Sequence, residues 1–157
     1  MSAVPGRIHI VAVGRLSTAL APAFGHYRRL LAPYATLRVD EVRHVALTGR
    51  TQTEVLRDEA RRVVARLPQD LPVVALDAGG HVYDSPAFAE RLRQWLDGGG
   101  ACFVLGGVLG LAPDVKARAV ELLSLSRLTL PHQLARVVLA EQLYRGIKIA
   151  RGEPYHY

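Results

Sequence analysis

The sequence has one cysteine, Cys102, among 157 residues. A lone thiol cannot close a disulfide within the chain, and it leaves no cysteine cluster for zinc. Lysine is nearly as scarce: of 20 basic side chains only Lys116 and Lys148 are lysine, and the other 18 are arginine. No apolar run approaches the roughly 20 residues that a membrane-spanning helix needs, which excludes that class. The opening Met1-Ser2-Ala3-Val4-Pro5-Gly6-Arg7 has no charged segment followed by an apolar core, which argues against a signal peptide, and the chain is expected in the cytoplasm. The six histidines (His9, His26, His44, His81, His132 and His156) show no H-E-x-x-H or paired spacing, so no metal site is expected. Neither G-x-x-x-x-G-K-[ST] nor G-x-S-x-G occurs, which removes a nucleoside-triphosphate P-loop and a serine-hydrolase elbow. No internal repeat and no linker divides the chain.

What is present fits one folded domain. Half the residues are hydrophobic and 22% are charged, and a chain of this length buries roughly 70% of its unfolded surface. The net charge of +6 and the pI of ≈ 10.0 suit a polyanionic partner such as nucleic acid. An arginine-rich coding bias gives the same balance, so charge alone leaves both readings open.

Short apolar strands alternate with helical stretches, as in an α/β sheet covered on both faces. Residues 8–13 are a β-branched run stopped by Gly14. A helix is expected through Phe24, Tyr27, Leu30 and Leu31, and residues 37–42 alternate as a half-exposed strand. Helix signals run from Thr53 to Leu67, with Val55, Leu56, Ala60, Val63, Val64 and Leu67 on the buried face. Residues 72–77 read as a third strand turned by Asp77-Ala78-Gly79-Gly80. Ser85 is the expected N-cap of a helix with Pro86 at its first position, ending at the glycines 98–100. Residues 101–105 form a fully apolar, central strand, which places Cys102 in the core. Pro113-Asp114 opens a short helix expected to reach about Leu123, residues 128–130 suggest a last short strand, and Pro131 starts a long helix to about Arg151.

The loop Gly106-Gly107-Val108-Leu109-Gly110 follows a buried strand, where open α/β sheets place ligands. It is not G-x-G-x-x-G, and by itself it is as consistent with a tight turn as with a ligand cradle. The last third is more distinctive. The run from Leu123-Ser124-Leu125-Ser126-Arg127 through Leu128-Thr129-Leu130-Pro131-His132-Gln133-Leu134-Ala135-Arg136 to Glu141-Gln142-Leu143-Tyr144-Arg145, with the ending Pro154-Tyr155-His156, resembles one family closely. It is the family of small SPOUT-class methyltransferases that modify a pseudouridine at N3 in 23S ribosomal RNA. The resemblance extends to residues 8–14, to Val74-Ala75-Leu76-Asp77 and to Phe103-Val104-Leu105-Gly106-Gly107, and so covers nearly the whole chain after a short extension at 1–6. The chain differs from the family in carrying Val108-Leu109 where small or polar residues are usual, and Tyr157 where a basic residue is common.

The resemblance implies a single SPOUT domain over 1–157. In that fold a mostly parallel sheet is flanked by helices and a C-terminal trefoil knot, a feature that periodicity would not suggest. It also implies a homodimer, S-adenosylmethionine as methyl donor without a metal, and 23S rRNA in the large subunit or whole ribosome as partner. By the same analogy the donor is held by Leu76, by Gly106, and by Leu125, Ser126, Arg127, Leu128, Thr129 and Leu130. Apolar side chains there can sandwich an adenine while free backbone groups read its polar edge. A ribosome-binding factor of the same fold without catalysis is the alternative, and a small-molecule enzyme of ordinary doubly wound topology is a third reading.

The N3 proton of a uracil-like ring is weakly acidic, so a neighbouring cation or hydrogen-bond donor that stabilises the ring anion is valuable. Arg136, Tyr155 and His156 are the candidates, and His156 titrates in the useful range to take or steer the proton. Helical geometry puts Arg136 on one face with Ala140, Leu143 and Ile147, whereas Glu141, Arg145 and Lys148 lie on a polar stripe where Glu141 and Arg145 form an i,i+4 pair. A guanidinium on an apolar stripe needs a partner, either an ion pair or RNA. The apolar remainder of that helix needs a cover, which dimerisation supplies.

Overall fold

The strand Arg7–Val13 (β1) alternates between two cores. Ile8, Ile10 and Ala12 face one, Val11 and Val13 the other, and all five are at most 1% exposed. Such two-sided burial is what a parallel sheet under helices on both faces demands. The computed structural model describes residues 5–155. After β1 come α1 (Ala21–Leu31), β2 (Thr36–Val42), α2 (Gln52–Val64), β3 (Val73–Val82) and α3 (Ser85–Asp97). They are followed by β4 (Gly100–Leu105), α4 (Pro113–Ala117), β5 (Glu121–Ser124) and α5 (His132–Ala150). The five strands form one sheet of order β2-β1-β4-β3-β5, and every pairing is parallel. β4 is its middle strand and is buried along its whole length, as the apolar run 101–105 requires.

Helices α1, α3 and α5 cover one face, packing Phe24, Leu31, Phe88, Leu92, Trp95, Leu139, Leu143 and Ile147 against Ile8, Ile10 and Phe103. Helices α2 and α4 cover the other, where Ala60, Val63 and Val115 meet Val11, Val13, Cys102 and Val104. Cys102 is fully buried and core, and burial with the nearby charge of Asp40 pushes its thiol up to about 12. α2 starts with a reciprocal capping box: the Thr51 hydroxyl accepts from the Glu54 N–H, and the Glu54 carboxylate accepts from the Thr51 N–H.

Four local expectations are corrected. The cap of α3 is Asp84, whose carboxylate accepts from the Ala87 N–H at 2.8 Å; Ser85 is the first helical residue. Residues 77–80 do not end β3. The strand absorbs them as an irregularity and pairs with β5 on both sides, Leu76 and His81 each lying opposite Leu123. Gly80 permits this, because a Cβ there would stand 2.6 Å from the Leu122 backbone. The helix opened by Pro113 ends at Ala117, and the backbone then joins the sheet, with the Val120 N–H donating to the Val73 carbonyl at 2.8 Å. Residues 128–130 are not a strand: the Leu128 N–H donates to Ser126 Oγ at 2.9 Å, which bends the chain and leaves the Leu128 side chain 77% exposed.

Candidate active site

Open parallel sheets expose ligand sites beyond the carboxyl ends of their strands. Here the irregular middle of β3 and the ends of β4 and β5 border a cavity of ≈ 570 Å³, within the range of small-molecule sites. Its walls come from three segments, 76–78 at the irregularity within β3, 105–110 from the end of β4, and 123–132 leading from β5 into α5, with Ala135 one turn further on. The glycine loop is tight. Gly110 donates its N–H to the Gly107 carbonyl at 3.0 Å, and a Cβ on Gly106 would lie 2.3 Å from the Gly110 carbonyl. No side chain fits at Gly106, so a ligand there meets bare backbone.

Seven of the eight residues assigned to the donor by resemblance line this one cavity: Leu76, Gly106, Leu125, Ser126, Leu128, Thr129 and Leu130. Arg127 does not; it is exposed outside the wall. The wall is mainly apolar, with backbone N–H and C=O groups of a non-repetitive segment between the side chains. It fits an adenine-bearing donor; among the described residues no group of three or more His, Cys, Asp or Glu could hold a metal ion. Two exposed apolar side chains, Val108 (82%) and Leu128 (77%), flank the mouth.

The catalytic candidates lie elsewhere in this chain. Arg136 is 1% exposed, on one stripe with Ala140, Leu143 and Ile147 as helical geometry requires. Its partner is internal: one guanidinium nitrogen donates to Glu41 Oε2 at 2.6 Å and the other to the Gly14 carbonyl at 2.9 Å. Nε is buried without an acceptor. Burial pushes its pKa down, and the bond to Glu41 works against that. Tyr155 packs at the far end of α5, its ring 4.7 Å from that of Tyr144 and 5.0 Å from the Arg145 guanidinium, which also donates to the Tyr155 carbonyl. Arg145 pairs with Glu141 at 2.6 Å, the i,i+4 pair of the polar stripe. From His132 at the cavity to Arg145 is about 20 Å of helix at 1.5 Å per residue. The cavity and Tyr155 therefore sit towards opposite ends of α5. His156 and Tyr157 lie outside the described residues.

The lining also includes Gly107, from the glycine loop that the sequence singled out, and Asp77 and His132, to which the sequence assigned no role. Asp77 is salt-bridged to Lys116 at 2.8 Å; this bond holds its carboxyl below the usual range, with help from the Gly79 N–H. His132 was legible as one helical turn before Arg136, at the start of the helix that Pro131 announces. Glu59 was missed too. It is 6% exposed on α2, with Oε2 accepting from the Val45 N–H at 2.9 Å, and the spacing of 55, 59 and 63 was its signal.

Residues 7–156 match the family described as "Predicted SPOUT methyltransferase". Relatives named "Ribosomal RNA large subunit methyltransferase H" include one from Rubrobacter xylanophilus, 48% identical over 155 residues and covering 96% of this chain and 98% of that protein. Another, from Anaeromyxobacter sp. (strain Fw109-5), is 46% identical over 155 residues, covering 96% and 99%. Among solved structures, a probable methyltransferase from Bordetella pertussis Tohama I shares the fold, with a TM-score of 0.55 at 17% identity over 90% of this chain and 94% of that one. Cavity, sheet order and relatives agree: the chain belongs to the SPOUT methyltransferase family.

Proposed function

We propose that this protein is an S-adenosylmethionine-dependent methyltransferase acting on N3 of a pseudouridine in 23S ribosomal RNA, in the large subunit or assembled ribosome. The observation that carries the reading is the convergence of seven donor-assigned residues on one cavity between the irregularity of β3 and the carboxyl ends of β4 and β5. The names of the full-length relatives support the rRNA substrate. When bound, the donor supplies an electrophilic methyl group on a cationic sulfur. Leu76, Leu125, Leu128 and Leu130 hold its apolar part, and the backbone of Gly106, Ser126 and Thr129 addresses its polar edge. Arg127, just outside the wall, is left to the rim and to RNA phosphate.

The ring nitrogen must lose its proton to attack in line, so the chain's work is to position the base, exclude water and stabilise the anion. Tyr155 and His156 are assigned to that anion from a second protomer. Tyr155 of one chain packs about 20 Å along α5 from its own cavity, whereas a homodimer packed through α5 would bring the tail to the partner's. Arg136 acts from beneath, as a positioning residue that ties α5 to the ends of β1 and β2 through Gly14 and Glu41. The reading includes one domain over 1–157 with a short extension at 1–6, a C-terminal trefoil knot through the three wall segments, and a cytoplasmic location. No helix among the described residues is long and apolar enough to cross a membrane.

The test is labelled methyl transfer from the donor to intact ribosomes lacking the modification, followed by nucleoside mapping. Label on N3 of a 23S pseudouridine is expected. Saturable ribosome binding with no transfer would favour a non-catalytic ribosome factor instead, and label on free pyrimidine with none on ribosomes would reject an RNA substrate. Light scattering at micromolar concentration should give the mass of a dimer; a monomer would sink the shared site.

A further inference from the structure

Only two titratable side chains line the donor cavity among the described residues, Asp77 and His132. Asp77 is committed to Lys116 and to the Gly79 N–H. His132 is the first residue of α5, half-buried, and no hydrogen bond to another described residue acts on its ring. Behind the cavity floor lies Glu59. A Cβ on Gly107 would stand 3.8 Å from Glu59 Oε1, so the carboxylate is separated from the cavity by little more than the glycine loop. Glu59 has no cationic partner at salt-bridge distance among the described residues, and its one hydrogen bond comes from the Val45 N–H.

We infer that His132 accepts the N3 proton of the target base, with Glu59 as the positioning residue that stabilises the imidazolium as it forms. The assignment rests on the methyltransferase reading above and gives the proton a destination within the cavity itself. Three charged or titratable groups act on His132. They are Arg136 on its own helix, Glu59 on α2, and His44 in the exposed segment after β2. Burial and the positive charge of Arg136 hold the imidazole below its ordinary value, His44 works in the same direction, and Glu59 works against them. The amino end of α5 also disfavours a resting positive charge there. Near neutral pH the ring is therefore an unprotonated base.

In the step, the N3–H bond breaks and its electron pair stays on nitrogen. The proton joins the free imidazole nitrogen of His132, giving an imidazolium that the negative charge of Glu59 favours. The ring nitrogen then takes the methyl group from the sulfonium, whose C–S electron pair remains on the neutral thioether product. Solvent removes the proton from His132 after product leaves.

The experiment pairs a pH–rate profile on ribosomes with an NMR titration of the His132 ring in the protein alone. His132→Gln is expected to lower transfer by about 100-fold or more, the range for a positioned general base, while the donor's Kd changes by less than about threefold, and imidazole in the buffer should partly rescue His132→Ala. Wild-type transfer should fall as pH drops through the His132 titration. Glu59→Gln removes the group that raises that titration, so both the NMR midpoint and the acid limb should move to lower pH. A purely structural Glu59 would change the rate without moving the limb. His156→Ala should lower the rate and leave the limb in place. Transfer that survives His132→Gln, or an acid limb that His156→Ala abolishes and His132→Gln does not, overturns the assignment alone. An inactive wild type defeats the methyltransferase reading and takes this assignment with it.

Discussion

Arg136 and Glu41 form a lopsided ion pair, and the two halves should respond unequally to mutation. The arginine side chain is 2% exposed and the glutamate 38%. Breaking a buried pair costs about 3–5 kcal/mol when it strands a charge away from water. Glu41→Gln strands the guanidinium, though the amide oxygen can still accept one bond and water reaches this side of the pair, so we expect about 2 kcal/mol. Arg136→Met strands nothing of that kind. Glu41 turns to solvent, the stem volume is kept, and the buried Nε without an acceptor disappears. Besides the bond to Glu41, which water replaces, the losses are the bond to the Gly14 carbonyl and a longer one, 3.5 Å, to the Val13 carbonyl, together worth about 1 kcal/mol. For a chain of this length a 2 kcal/mol loss lowers Tm by roughly 4–8 °C. Urea unfolding at fixed protein concentration, with Glu41→Gln, Arg136→Met and the double variant, measures all three terms. The double variant should resemble Arg136→Met. If Arg136→Met costs more than Glu41→Gln by about 1 kcal/mol or more, the ordering by burial is wrong.

Three other outcomes follow from the geometry. Leu128→Ser, at a side chain 77% exposed on the cavity mouth, should leave stability within about 0.5 kcal/mol while donor affinity in calorimetry falls roughly tenfold, the order expected for one lost apolar contact; equal affinity would remove Leu128 from the ligand. Gly106→Ala should abolish donor binding with far-ultraviolet circular dichroism unchanged, because its Cβ would meet the Gly110 carbonyl at 2.3 Å. For Asp40, burial alone would raise the carboxyl, but the His9 hydrogen bond at 2.7 Å and the nearby Arg38 outweigh it and hold it below 3.8. Its stabilising contribution is therefore complete above 3.8 and is lost as pH falls through the lower folded value. Asp40→Asn should destabilise at pH 7 and match wild type at the acid end, as read from urea midpoints; a constant difference would contradict the linkage.

Much of the sheet was legible because parallel strands buried on both faces leave continuous β-branched runs, as residues 8–13 and 101–105 do. β5 was not. Glu121-Leu122-Leu123-Ser124 has no β-branched residue and continues the apolar pattern begun at Val115, so it reads as more helix; only pairing with β3 makes it a strand. The irregularity in β3 was hidden for a related reason, since Asp77-Ala78-Gly79-Gly80 has turn chemistry that the neighbouring strand overrides. At the site, the donor wall came from resemblance rather than periodicity, because a non-repetitive loop carries no period. Arg136 was placed on its stripe correctly from spacing, but its partner, Glu41, stands 95 residues away in sequence and only the folded chain brings the two together.

The walls of the cavity come from residues 76–78, 105–110 and 123–135, spread from the middle of the chain into its last third. A growing polypeptide has nothing with which to grip the donor until its final third has emerged and β5 has docked. Metabolite levels can thus bias the survival of finished molecules against unfolding and degradation, by mass action on the native state, but cannot chaperone the nascent ones.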